Sequence, residues 1–125
     1  MTESVTITEV AEKQGVQKIT FVFEAAADGT ATGETPGKYT GLVYYVINLP
    51  TSGGTAPTTL WDFQIQSENN YDILGLAGTD RSATLTEYLQ ASSDGLGLVF
   101  DSKLTLEVSG AGSGGDGTVI LYIVN

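Results

Sequence analysis

Alternation of apolar and polar positions dominates the chain. Val5 and Ile7 alternate with Thr6 and Thr8 from Ser4 to Val10. From Lys18 to Glu24, Ile19, Phe21 and Phe23 share one face, against Thr20, Val22 and Glu24 on the other. A period of two marks strands that bury one side. Tyr39 to Leu49 reads as a further strand closed by Pro50. Leu60 to Ser67 sets Trp61, Phe63 and Ile65 against Asp62, Gln64 and Gln66. Glu68-Asn69-Asn70 predicts a hairpin turn, because Asn tolerates positive φ, with Tyr71 to Leu76 as the return strand. Lys103 to Val108 alternates again, and with Thr118 to Val124 it predicts a C-terminal hairpin whose long flexible tip is Gly110 to Gly117.

The connections are read from turn chemistry. Asp28 to Lys38 is Gly- and Thr-rich with Pro36-Gly37 as a turn signal, and Thr51 to Pro57 is a loop too short to link domains. Thr84 to Gln90 fits two descriptions. Leu85, Tyr88 and Leu89 are spaced for a helical turn with Thr84 and Glu87 as a capping box, whereas the short length and Thr content suit a strand equally. About seven or eight strands, with turn signals roughly every 8–12 residues, predict an all-β fold. The expected architecture is a single-domain antiparallel β-sandwich or barrel over residues 1–125. Residues 1–10 form its edge strand or an N-terminal arm that adds to a partner's sheet.

Two strands break the alternation. Leu42-Val43-Tyr44-Tyr45-Val46-Ile47 and Val119-Ile120-Leu121-Tyr122-Ile123-Val124 are apolar on both faces. One side of each then meets another subunit, with Leu42, Tyr44, Val46, Ile120, Tyr122 and Val124 as interface candidates. The competing explanation is that the 28–38 or 51–57 loop folds across them. Left bare, such strands would make an apolar patch larger than monomers usually carry.

Composition narrows the chemistry. Five Lys and Arg stand against fifteen Asp and Glu, a formal net charge of −10, and there is no His and no Cys. Without Cys there is no disulfide, thiolate nucleophile or Cys-based zinc site. Without His the commonest general base and imidazole ligand are missing. Nucleic acid and anionic membrane surfaces are disfavoured, since phosphate contacts need Lys and Arg. The N-terminus has no basic segment followed by an apolar stretch, and no apolar run approaches the ~20 residues of a membrane span. Synthesis in a host cytoplasm is therefore expected.

No motif builds a catalytic or cofactor site. Gly110-Ala-Gly112-Ser-Gly-Gly115 has the letters of a dinucleotide loop, but a β-branched strand follows where that site needs a helix. Asp62 and Asp72 could face each other across a hairpin as glycosidase carboxyls do, with Trp61, Tyr44 or Tyr45 stacking on a sugar. The plainer reading puts Asp62 on the wet face and Trp61 in the core. Asp28, Asp94, Asp101 and Asp116 lie in or beside Gly-rich loops suited to calcium, without an EF-hand run. Ser102-Lys103 has its Lys on a wet strand face, which argues against a catalytic dyad. The expectation is a non-enzyme with no cofactor and no metal.

The stretch Trp61 to Thr84, WDFQIQSENNYDILGLAGTDRSAT, and the ending SKLTLEVSGAGSGGDGTVILYIV together resemble small β-rich virion proteins of tailed bacteriophages. The resemblance covers about half of the chain, from Leu60 to the C-terminus with a gap. It departs from that pattern at Leu76-Ala77 and at Glu68-Asn69-Asn70, where an Asp-Gly turn is expected, which leaves subfamily and virion position open. The resemblance implies a capsid decoration (cement) protein on the outer virion surface. It would bind the major capsid protein shell and stabilise it, as a homo-oligomer, typically a trimer. A glycan-binding host-attachment module and a tail or connector subunit are the alternatives.

Overall fold

The computed structural model describes residues 3–11, 15–50, 54–90 and 97–125. They form nine strands: β1 (Ser4–Ala11), β2 (Val16–Glu24), β3 (Ala31–Glu34), β4 (Tyr39–Pro50), β5 (Asp62–Gln66), β6 (Glu87–Leu89), β7 (Leu98–Ser102), β8 (Thr105–Ser109) and β9 (Asp116–Val124). The fold is all-β, with every strand pairing antiparallel in two sheets of a sandwich-like single domain. The larger sheet runs β1-β2-β9-β4, and β6 and β7 share the far edge of β4. The smaller sheet is β3-β8-β5.

The alternating side chains meet between the sheets. Ile19, Phe21 and Phe23 of β2 and Val119, Leu121 and Ile123 of β9 are buried against Phe63 and Ile65 of β5 and Leu106 and Val108 of β8. Trp61, fully buried, packs its ring 5.2 Å from Phe23 and 5.6 Å from Phe63. Burying an aromatic body of this size contributes strongly to stability, and its indole N–H needs a partner. It donates to the Ser82 carbonyl at 3.1 Å.

Three expectations change. The last two strands are not a hairpin: β8 belongs to the small sheet and β9 to the large one. Residues 110–115 are a packed arch rather than a flexible tip. Ala111 is buried and its amide donates to the Gly29 carbonyl, while the Ala25 amide donates to the Gly115 carbonyl. Gly112 has φ +78, and a Cβ on Gly115 would collide with the Ala111 carbonyl, which explains the glycine run without any ligand.

The Tyr71–Leu76 return strand is also absent. The turn forms as expected, with Asn70 at φ 60 and Gln66 bridging Asp72. The Asp72 carboxylate then accepts from the Ile65, Leu74 and Leu76 amides and curls the chain into successive turns. Residues 84–90 resolve to β6 rather than a helix. The Glu87 carboxylate accepts from the Ser82 amide and Asn48 Nδ2, and Ser82 Oγ from the Thr84 and Leu85 amides.

Two strands sit where no strand was expected. β3, ATGE, lies within the presumed 28–38 loop and pairs β8. β7 begins just after Gly97 and pairs β4. β1 pairs β2 residue for residue from Ser4 to Ala11, so this segment is a strand of its own sheet.

The sandwich closes where β1 meets β3. The Val5 side chain lies on Gly33, where an added Cβ would stand 2.6 Å from the Val5 Cβ. Gly33→Ala is therefore expected to cost about 1–3 kcal/mol in chemical denaturation. It should also raise amide exchange selectively along β1. Unchanged stability with unchanged β1 exchange would contradict this packing.

Candidate functional site

The outer face of the large sheet differs from every other surface of the domain. Cross-strand partners share a face, so the register defines its rows. One row runs Val16, Val124, Leu42, Leu98, and the next Val10, Lys18, Tyr122, Tyr45. A third runs Thr8, Thr20, Ile120, Ile47, Tyr88. Among the described strands the carboxylates Glu24 and Asp116 pair with each other at one end of this face, and Asp101 stands beside Phe100 opposite Thr40 at the β7 edge. The outer face of the small sheet is polar by contrast, carrying Thr32, Glu34, Asp62, Gln64, Gln66, Thr105 and Glu107. A one-sided antiparallel sheet normally puts polar side chains outward. Here, on a chain of net charge −10, the β9–β4 part of the larger outward face is apolar and aromatic, while β1 and β2 add Ser4, Thr6, Thr8, Thr20, Lys18 and Glu24 to it.

The arrangement turns on a bulge in β4. Val43 pairs Ile123, but the next pair on the ladder is Tyr45 with Tyr122, so Tyr44 is the inserted residue. Before the bulge Val43 packs on the core and Leu42 faces out; after it Tyr45 faces out and Val46 faces in. Tyr44 and Tyr45 thereby share the outer side. Gly41 supports the kink: at φ +151 it lies against β9, where a Cβ would come within 2.6 Å of the Val124 carbonyl oxygen.

This places the six interface candidates. Leu42 and Tyr44 are exposed, at 54% and 63%, and Val124 is exposed at its strand end. Ile120 and Tyr122 lie half-buried on the same face. Val46 does not belong with them. It is fully buried in the core, because the bulge reverses the parity on which a regular strand would have put it outside. Among the described residues neither loop is folded across this face: 28–38 builds β3 in the other sheet, and Thr55 accepts from Asp116 at the sheet's end. Residues 51–53 of the other loop lie outside the described residues.

Four tyrosines converge around the bulge. Tyr45 stacks on Tyr122 with centroids 4.8 Å apart, meets Tyr44 edge-on at 5.0 Å and lies 6.2 Å from Tyr88. Tyr44, Tyr45 and Tyr88, with Leu89 and Gln90, line a cleft of ≈ 480 Å³. At the other end of β4, Phe100 is 79% exposed beside a groove that also holds Leu98 and Tyr71 with the charged Lys38, Glu68 and Asp101. Tyr88, Leu98 and Phe100 were missed as surface residues. Leu98-Val99-Phe100, a short apolar run after Gly97, carried the signal.

The other candidates dissolve into local structure. Asp62 Oδ1 accepts from the Asp80 amide and Asp72 from three amides, so both carboxylates serve the backbone. The buried Trp61 offers no face to a sugar. Asp28 accepts from the Thr30 amide and hydroxyl, which holds its carboxyl below the usual range. Asp94 lies outside the described residues, among which no three His, Cys, Asp or Glu side chains gather to hold a metal. No described helix is long and apolar enough to cross a membrane. Comparison with protein-family models, curated proteins and solved structures found no match for this chain.

The tyrosine cluster has a titration signature. Desolvation by the surrounding rings, then the charges of Tyr122, Tyr44 and Tyr88, raise the Tyr45 phenol above its ordinary 10.0. The folded protein thus holds this proton more tightly than the unfolded chain. The resulting stabilisation is complete below the ordinary phenol pKa and is lost as pH rises through the folded value. In an alkaline absorbance titration one component should ionise later than the rest and vanish in Tyr45→Phe. Six tyrosines titrating as one population would contradict the stacking.

Proposed function

We propose that this chain is a non-catalytic structural protein of a tailed-phage virion, a capsid decoration protein that docks through the outer face of its large sheet. The observation that carries the reading is the concentration of exposed apolar side chains, Leu42, Tyr44, Tyr88, Leu98, Phe100 and Val124, around β4 and β7 on the outer face of the large sheet. Interfaces are depleted of charge at their centres and enriched in Tyr and Phe. The exposed Leu42, Leu98, Phe100 and Val124 supply anchors at one end of that face. Large patches of this kind on a soluble domain mark a surface built to be covered.

Charge orients the docked molecule. The polar face of the small sheet carries Glu34, Asp62 and Glu107, and would point away from the shell. A subunit of charge −10 is repelled by packaged DNA and tolerated on the outside of the capsid. The resemblance of residues 61–84 and 102–124 to virion proteins supports the same partner, the major capsid protein, and a trimeric arrangement at capsomer junctions. Stabilisation follows by linkage: a protein bound only to the assembled shell adds contacts that disassembly must break.

Purified chain should bind expanded, undecorated capsids of its own phage saturably and raise their melting temperature. Leu42→Asp combined with Phe100→Asp should weaken binding at least tenfold, about 1.4 kcal/mol or more, while the domain stays folded. Gln64→Asp, on the polar face, should leave binding unchanged. A chain that ignores capsids, or whose binding is lost through Gln64→Asp and not through Leu42→Asp/Phe100→Asp, would overturn the reading.

A further inference from the structure

We propose that the cleft at the β4 bulge is a binding site for the pyranose rings of an uncharged saccharide. This goes beyond the docking reading and does not rest on it, since the docking anchors lie at the β7 end of β4 and the cleft at the β6 end.

Three properties of the cleft select the ligand. The first is ring presentation. Tyr44 and Tyr88 are 63% and 71% exposed, so most of their surface is open to a visitor. Their planes are inclined by 64° and 47° to the Tyr45 ring between them. A flat apolar ligand face meets a fixed aromatic corner there, because Tyr45 is itself held by its stack on Tyr122. Tyrosine has only two side-chain torsions to immobilise, so such contact costs little conformational entropy.

The second property is the polar rim. Each phenol brings a hydroxyl that both donates and accepts, and Gln90 adds an amide at the edge of the cleft. A pyranose matches this pattern, with C–H faces for the rings and equatorial hydroxyls for the rim. An acyl chain would leave those polar groups unpaired. The third property is charge. No charged side chain is among the described residues lining the cleft, and the chain as a whole carries −10. Phosphorylated and uronic-acid ligands would enter without a cation to meet them. A recess of ≈ 480 Å³ lies within the usual range for small-ligand pockets, roughly 300–1,000 Å³, and has room for more than one sugar ring.

The experiment is an amide chemical-shift titration of the whole chain with neutral malto- and chito-oligosaccharides, and separately with an oligogalacturonate. Fluorescence of Trp61 is unsuitable because that ring is buried. Binding is expected with a Kd of about 1 mM for at least one neutral series, with shifts confined to β4, β6 and Tyr122. Tyr88→Ala and Tyr44→Ala should each weaken it about tenfold, and Gln90→Ala several-fold. Capsid binding should survive Tyr88→Ala, and saccharide binding should survive Leu42→Asp combined with Phe100→Asp, so either proposal can fail alone. Absence of shifts with every neutral oligosaccharide at about 10 mM would overturn the site. So would tighter binding of the oligogalacturonate, or neutral-sugar binding indifferent to Tyr88→Ala. Perturbation of the cleft by capsid protein alone, with no response to sugars, would make it part of a protein interface and overturn it too.

Discussion

One inserted residue in β4 governs how this domain divides its side chains between inside and outside. Val43 and Val46 both belong to the core, yet three positions separate them, a spacing that no regular strand provides. Tyr44 resolves the mismatch by standing opposite Tyr122 together with Tyr45. With the parity corrected, Val46 packs against Leu121 and Leu89, and Tyr45 reaches its stack on Tyr122. The same residue lets β4 serve two short neighbours, β7 before the bulge and β6 after it. Bulges recur where a strand must re-aim side chains at a functional surface.

The consequence is a domain with two unlike outer faces. The small sheet turns Thr, Gln and acids to solvent in regular alternation. The large sheet turns out valines, leucines and tyrosines along β9 and β4 and threonines along β1 and β2, with Lys18, Glu24 and Asp116 among them. Because Lys18, Glu24 and Asp116 also lie on the large sheet's outer face, the exposed apolar side chains are concentrated around β4 and β7 rather than spread over the whole of it. The ten excess carboxylates repel like-charged partners. The proposed docking uses the apolar part of that face around β4 and β7. The tyrosine cleft adds a second, smaller feature, defined by rings rather than by area.

Strands with strong period-two patterns were legible in the sequence. β2, β5, β8 and β9 appear close to where the alternation puts them, and their inward residues are the core. The two-faced character of β4 and β9 was legible as well, and the described parts of the 28–38 and 51–57 loops do not cover their outer side. The identity of that face was legible only in part. Val46 was placed with Leu42 and Tyr44 because a strand was assumed regular, and no propensity marks an inserted residue inside a run of apolar ones. β3 was invisible because Ala31-Thr-Gly-Glu34 has no apolar stripe; it is a strand through pairing with β8 and contact with Val5. The 110–115 arch was misjudged for the opposite reason. Glycines that signal flexibility in isolation here permit backbone approaches as close as that of Gly115 to Ala111. Topology was the least legible level, since nothing local told that β8 and β9 part company into different sheets.

Deletion of Tyr44 tests the central claim most directly. If Tyr44 is an inserted residue, its removal leaves Val43, Tyr45, Val46, Ile47 and Asn48 in unbroken alternation against β9. The shortened chain should then unfold cooperatively, with stability within about 1–2 kcal/mol of the parent, a modest mutational effect. Its late-ionising tyrosine should remain, because Tyr45 still stacks on Tyr122. Loss of cooperative folding on that deletion, or disappearance of the late-ionising component, would contradict the bulge and the two-faced domain built on it.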